Sequence, residues 1–156
     1  MKIKIIALGK IKEKYLKDGV EEYLKRLRPY TTLEIIELLP IEIKDENLTE
    51  KVLETEAEKI LSNIKPSSFV ITLEIGGKQF DSVDFAHEME QIINSGISEI
   101  VFVIGSSCGL SKKVSDIANL KLSLSKMTFI HQFTRLILLE QIYRAFKIMK
   151  NETYHK

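Results

Sequence analysis

Three short, almost unbroken apolar runs rich in β-branched residues constrain this chain more than anything else in it. They are KIKIIAL at 2–8, FVITLEI at 69–75 and IVFVI at 100–104. A strand apolar at both parities is covered on both faces, the situation of a strand inside a parallel sheet flanked by helices. The intervening segments supply those helices. Over 13–28, Leu16, Val20, Tyr23, Leu24 and Leu27 recur at helical spacing until Pro29. A further strand over 33–39 is stopped by Pro40, and the polar stretch 42–47 is a connection. A helix over 48–64 sets Leu53, Ala57, Ile60, Leu61 and Ile64 on one face. Gly76-Gly77 breaks the strand at 69–75, and Asp81 is the N-cap of a helix with Phe85, Ala86, Met89, Ile92 and Ile93 inward. Asn94-Ser95-Gly96 closes it before the strand at 99–104. This alternation predicts an α/β fold, a mostly parallel sheet with helices on both faces. With no internal repeat, low-complexity tract or linker, one domain over 1–156 is expected.

The C-terminal third gathers polar and turn-forming residues at strand ends, where open α/β sheets place their ligands. A Gly/Ser loop at 105–111 leads to a short helical pattern, a strand at 120–123 and a Ser-Lys-Met-Thr loop. A long helix over 131–150 opens with His131 and Arg135. On a wheel of about 100° per residue, Leu136, Leu139, Tyr143 and Phe146 share one sector. Leu138, Ile142, Ala145 and Met149 share another, with Ile137 and Ile148 in a third. A helix apolar on several sides needs cover on several sides. Part of that cover is expected from a second copy, giving a homodimer; a central helix of the monomer core is the alternative.

A chain of 156 residues can bury on the order of 70% of its unfolded surface. One cysteine, Cys108, leaves no internal disulfide and no cysteine zinc site, and suits a reducing, cytoplasmic setting. His87, His131 and His155 lie too far apart for ligand spacing, so no metal is expected. No apolar run approaches the roughly 20 residues of a membrane span, and the opening reads as a first strand rather than a signal peptide. The charge is unevenly spread. Residues 1–111 hold 14 Lys/Arg against 19 Asp/Glu, whereas 112–156 hold nine against three. A basic C-terminal third fits a polyanion-facing surface, and equally helices decorated with lysine.

Gly105-Ser106-Ser107-Cys108-Gly109 matches G-x-S-x-G between a strand and a helix, and Ser107, Asp116 and His131 follow in hydrolase order. The pattern is short and common, the sheet is small for that class, and no HGGG-type oxyanion loop occurs. Cys108 reads as a loop filler. No G-x-G-x-x-G follows the first strand and there is no Walker lysine motif, so a dinucleotide or P-loop site is unsupported. Small-residue loops after three late strands remain: 73–77, 105–109 and 124–129. Their exposed backbone groups suit a flat heterocyclic ligand over the strand ends.

Several longer motifs occur in order: ITLEIGGK, FVIGSSCGLS, LSLSKMTFIHQFTR, EQIYRAFKI and the terminal YHK, after an opening KIKIIALGK. Together they resemble the ribosomal RNA large-subunit methyltransferase H family of the SPOUT class, over essentially the whole chain. The resemblance implies a C-terminal segment threaded as a trefoil knot, a homodimer packed through the knot and last helix, and S-adenosylmethionine as cofactor. It implies methylation of N3 of a pseudouridine in 23S rRNA (helix 69) on the assembled ribosome. Carried onto this sequence, the cofactor positions are Leu73, Gly105, Leu124, Ser125, Lys126, Met127, Thr128 and Phe129. Ser106, Ile130 and Asn151 depart from the residues usual in the family, which are glycine, proline and glycine.

N3 carries a proton at neutral pH, and His155 has the intrinsic range of a general base. Tyr154 can stack on the base, while Arg135 and Lys156 can hold phosphate. Arg144 is expected to pair with Glu140 one turn earlier. The tail 154–156 is expected to close over the partner protomer's cofactor pocket. Two rival readings stand beside this one: an RNA- or ribosome-binding paralogue with altered target or no activity, and a small serine hydrolase using Ser107.

Overall fold

The computed structural model describes residues 1–42 and 45–156. In chain order its elements are β1 (Lys2–Leu8), α1 (Lys14–Leu27), β2 (Thr32–Leu38), a 3-10 turn (Glu46–Leu48), α2 (Thr49–Leu61), β3 (Phe69–Lys78) and α3 (Ser82–Asn94). There follow β4 (Glu99–Ile104), α4 (Lys112–Asp116), β5 (Leu120–Leu122) and α5 (His131–Met149). The strands form one five-stranded sheet in the order β2-β1-β4-β3-β5. Every pairing is parallel. The α/β reading is therefore the architecture. Of the connection expected over 42–47, positions 43 and 44 lie outside the described residues.

The unbroken apolar runs have a direct cause. Ile3, Ile5 and Ala7 of β1 and Ile100, Phe102 and Ile104 of β4 face one layer, against α1, α3 and α5. Ile6 and Leu8 with Val101 and Val103 face the other layer, against α2 and α4. Both parities of the central strands are buried, and the charged exceptions at their amino ends, Lys4 and Glu99, lie 3.7 Å apart as an ion pair. Asp81 caps α3 by accepting from the Asp84 N–H at 2.8 Å, and Gly96 leaves that helix at φ +88°.

Two expectations change. β3 is not broken by Gly76-Gly77 but runs through them to Lys78. Leu73 and Lys78 are both in register with Leu122, so the strand is irregular between them. A Cβ on Gly77 would sit 2.6 Å from the Lys121 carbonyl oxygen; the glycine marks a close backbone crossing rather than a stop. The second change concerns α5. Its buried residues Leu138, Leu139, Ile142, Ala145 and Phe146 belong to the same core as Val20 and Leu27 of α1 and Phe85 and Met89 of α3. At Gly19 of α1 an added Cβ would lie 3.1 Å from Leu136, a measure of how closely α1 meets α5. Burying each large aliphatic side chain contributes about 1.5–3 kcal/mol. Two of the apolar sectors of α5 are thus covered largely within one chain, whereas Ile137 and Ile148 of the third stay half-buried.

Candidate functional site

The carboxyl ends of β3, β4 and β5 open into a cleft of about 820 Å³, the position the topology of an open α/β sheet favours for a ligand. Three loops wall it: the bend of β3 at Leu73 to Gly76, the turn after β4, and the stretch leading from β5 into α5. Of the residues expected at a cofactor, Leu73, Gly105, Leu124, Ser125, Met127, Thr128 and Phe129 all line this space. Lys126 does not.

Each wall has a local reason for its shape. In the turn after β4, a Cβ on Gly105 would stand 2.5 Å from the Gly109 carbonyl oxygen. Gly105 is therefore required by its own loop, which Gly109 closes by donating its N–H to the Ser106 carbonyl at 2.9 Å, at φ +83°. The third wall is folded on its hydroxyls. Ser123 Oγ donates to the Ser125 carbonyl at 3.1 Å, and Ser125 Oγ accepts from the Met127 N–H at 3.0 Å. This leaves Met127 74% exposed over the opening.

Two chemically active side chains in the cleft escaped the sequence reading of the cofactor site. Glu74 lies on the wall formed by β3, its carboxylate accepting from Thr72 Oγ1 at 2.6 Å and from Ser115 Oγ at 2.9 Å. The available signal was a lone acid at the end of an apolar strand. His131, the first residue of α5, also lines the cleft and has no hydrogen-bond partner among the described residues. Burial, then the neighbouring Arg135, holds its imidazole below the usual histidine range, favouring the neutral ring.

Arg135 is not where the sequence suggested. Its side chain is only 1% exposed; Nη1 pairs with Glu37 at 2.7 Å and Nη2 donates to the Gly9 carbonyl at 3.0 Å. Gly9 sits at φ +104°, and a Cβ there would come within 3.2 Å of His131 Nε2. The guanidinium is used in fixing the start of α5 to the ends of β1 and β2, and a phosphate cannot reach it here.

The tail residues come together elsewhere. The Tyr154 hydroxyl lies 3.2 Å from that of Tyr23 on α1 and donates to Glu140 Oε1 on α5 at 3.1 Å. Its ring meets Tyr143 edge-on at 4.9 Å, and the Arg144 guanidinium lies over it at 4.7 Å. Burial, the Tyr23 hydrogen bond and Glu140 push the phenol pKa up. His155 Nδ1 is 3.2 Å from Arg144 Nη1, and Arg144 pairs with Glu140 as its spacing indicated. Neither Tyr154, His155 nor Lys156 lines the cleft of its own chain. Of the basic C-terminal residues, Lys112, Arg135, Arg144 and Lys147 are engaged in ion pairs. Lys113, Lys121, Lys126, Lys150 and Lys156 have no ion pair among the described residues.

A serine triad does not assemble. Asp116 pairs with Lys112 at 2.9 Å on its own helix, and no hydrogen bond joins Ser107 to His131.

A family model described as "Predicted SPOUT methyltransferase" matches residues 1–155. The protein named "Ribosomal RNA large subunit methyltransferase H" from Carboxydothermus hydrogenoformans is 53% identical over 160 residues, covering 100% of each chain. The chain belongs to the large-subunit methyltransferase H group of the SPOUT methyltransferases. The resemblance carried by its motifs is thereby borne out. Among solved structures, that of a probable methylase family protein from Haemophilus influenzae Rd KW20 aligns with a TM-score of 0.54 at 12% identity. The alignment covers 99% of this chain and 70% of that one. At this identity the SPOUT chain and its neighbour share a fold and nothing finer.

Proposed function

We propose that this chain methylates large-subunit ribosomal RNA, using S-adenosylmethionine and acting on N3 of a pseudouridine in the assembled ribosome. The observation that carries the reading is the convergence of three loops, from β3, β4 and β5, on one cleft in a chain of this family. Its volume of about 820 Å³ falls in the range of small-molecule sites, roughly 300–1,000 Å³. Leu73, Leu110, Leu122 and Leu124 offer apolar walls to a flat heterocycle, while Gly105, which has no side chain, brings backbone to the cleft. When bound, the cofactor supplies a methyl group on a sulfonium. The chain's own residues align it, exclude water and take up the N3 proton.

His155, Tyr154 and Lys156 are proposed to act on the base and its phosphate from a partner protomer. On its own chain the tail lies against α1 and α5, so a homodimer is what brings it to a cleft. Exposed apolar residues near the cleft mouth support such an association: Ile130 is 58% exposed, and Tyr15 on α1 packs beside Phe133 with ring centroids 6.3 Å apart. The threaded C-terminal segment belongs to the same reading. Arg135 is reassigned from phosphate contact to fixing the start of α5.

Two measurements test the proposal. Calorimetric titration should give one S-adenosylmethionine site per chain. Mass mapping of ribosomal RNA, from ribosomes incubated with and without the protein, should reveal one added methyl on a pseudouridine. Cofactor uptake with no new methyl would favour a binding protein over an enzyme.

A further inference from the structure

The turn after β4 carries a hydroxyl that the reaction above does not use. Ser106 Oγ donates to Glu56 Oε1 at 2.9 Å, and Glu56, on α2, is only 2% exposed. The other carboxylate oxygen accepts from the Ile41 N–H at 3.3 Å, and Ser106 Oγ itself accepts weakly from the Cys108 N–H at 3.4 Å. One buried carboxylate therefore ties α2, the segment following β2 and the turn that walls the cleft. Its neighbours along the helix, Val52, Ala57 and Ile60, are buried and apolar. A carboxylate in such surroundings is costly unless hydrogen-bonded, so its two bonds largely fix its place.

Among the described residues, the Ser106–Glu56 bond is the one side-chain hydrogen bond linking the 105–109 turn to another element. The other hydrogen bonds of the turn stay inside it: Gly109 N–H to the Ser106 carbonyl, and Cys108 N–H to Ser106 Oγ. Ser106, Ser107 and Gly109 all line the cleft. A wall built from small residues keeps its shape only if something outside it fixes it.

We propose that Glu56, acting through the Ser106 hydroxyl, is a positioning residue that fixes the 105–109 wall in the geometry that accepts the cofactor. This deepens the reading of the cleft as an S-adenosylmethionine site and rests on it. The carboxylate touches neither cofactor nor substrate. It sets how much of the loop's ordering is complete before binding, and so acts on affinity rather than on the chemical step.

The test uses the full chain with Glu56→Ala, Glu56→Gln, Ser106→Ala and the Glu56→Ala/Ser106→Ala double variant. Calorimetric titration with S-adenosylmethionine should show each alanine variant binding about tenfold more weakly, the equivalent of one lost hydrogen bond to a charged group. The double variant should be no weaker than the worse single, because both break the same link. Glu56→Gln should regain most of the affinity, since its amide can donate to Ser106 Oγ and its carbonyl can accept from Ile41. In turnover, the loss should sit in the KM for cofactor and not in kcat. Independently of any ligand, amide hydrogen exchange at Cys108 and Gly109 should quicken in the alanine variants. Should Glu56→Ala not fold, Ser106→Ala carries the same comparison. Unchanged affinity and exchange in folded variants, or losses that add in the double variant, overturn the role. A wild-type chain that binds no S-adenosylmethionine overturns the cofactor reading instead, and the exchange comparison still decides whether Glu56 holds the loop.

Discussion

At the scale of single residues, long-range partners decide what a side chain does. Arg135 sits four residues after His131 in a motif that suggests anion binding, yet its partners Glu37 and Gly9 lie 98 and 126 positions away. No local spacing reveals such a pair, which is why the phosphate assignment failed while Arg144–Glu140, an i,i+4 pair, was legible. The same cluster gives His131 a pH signature. Burial and Arg135 place its folded pKa below the ordinary 6.5, so the unfolded chain takes up this proton more readily. Stability linked to His131 is full above that ordinary value and is lost as pH falls through it toward the folded pKa. His131→Gln should therefore flatten part of the decline in unfolding free energy between about pH 7 and pH 5. Urea denaturation along that series measures it, together with imidazole titration by NMR. An imidazole titrating at or above its ordinary value would sink the assignment.

Elements were easier to read than their junctions. The strand at 99–104 and the start of α3 match the sequence expectation because a strong apolar pattern and the Asp81 cap are local signals. In the sequence Gly76-Gly77 reads as a break because glycine pairs usually are, and only the neighbouring β5 backbone shows why the second glycine is there. Most residues that the family likeness names line the cleft, whereas Glu74 and Glu56 have no such signal, since a lone acid beside apolar residues has no pattern of its own. The two glycines now make opposite predictions. A Cβ on Gly77 meets the Lys121 and Leu122 backbone, with the closest approach 2.6 Å, whereas one on Gly76 meets nothing within 4 Å. Gly77→Ala should separate β3 from β5 at a cost of about 2–3 kcal/mol, in the range of forced overpacking. It should also disturb the Ser123 to Thr128 wall, since the Ser123 N–H donates to the Lys78 carbonyl at 2.9 Å. Gly76→Ala should stay within about 0.5 kcal/mol of the parent, as an exposed substitution without contacts does. Equal thermal midpoints for the two variants would show that β5 does not cross as closely as described.

For the whole molecule, the decisive geometry is the separation of the tail from the cleft of its own chain. Tyr154 is held by Tyr23, Glu140 and Tyr143 on the α1 and α5 surface, and His155 by Arg144. Removing 154–156 should cost a modest part of the stability, about 1 kcal/mol for the lost aromatic contact, and leave the cleft intact. If the tail acts on a partner's cleft, two inactive chains can make one active site. One chain carries Gly105→Ala, which drives a Cβ into the Gly109 carbonyl at 2.5 Å and spoils the cleft wall. The other lacks 154–156 and keeps the wall. Each alone should be silent. Mixed and allowed to exchange subunits, half of the pairs formed at equal ratio are heterodimers, and each holds one sound cleft facing one sound tail. Methyl transfer to ribosomal RNA should reappear at about a quarter of the wild-type rate, since half the dimers carry one working site of two. A tail that served its own chain would leave the mixture as silent as its parts. Subunit exchange is checked in the same sample by native mass spectrometry, which distinguishes the truncated chain by mass. Silence with heterodimers present would therefore count against action in trans, and recovered transfer would show that the two halves of the site belong to different chains.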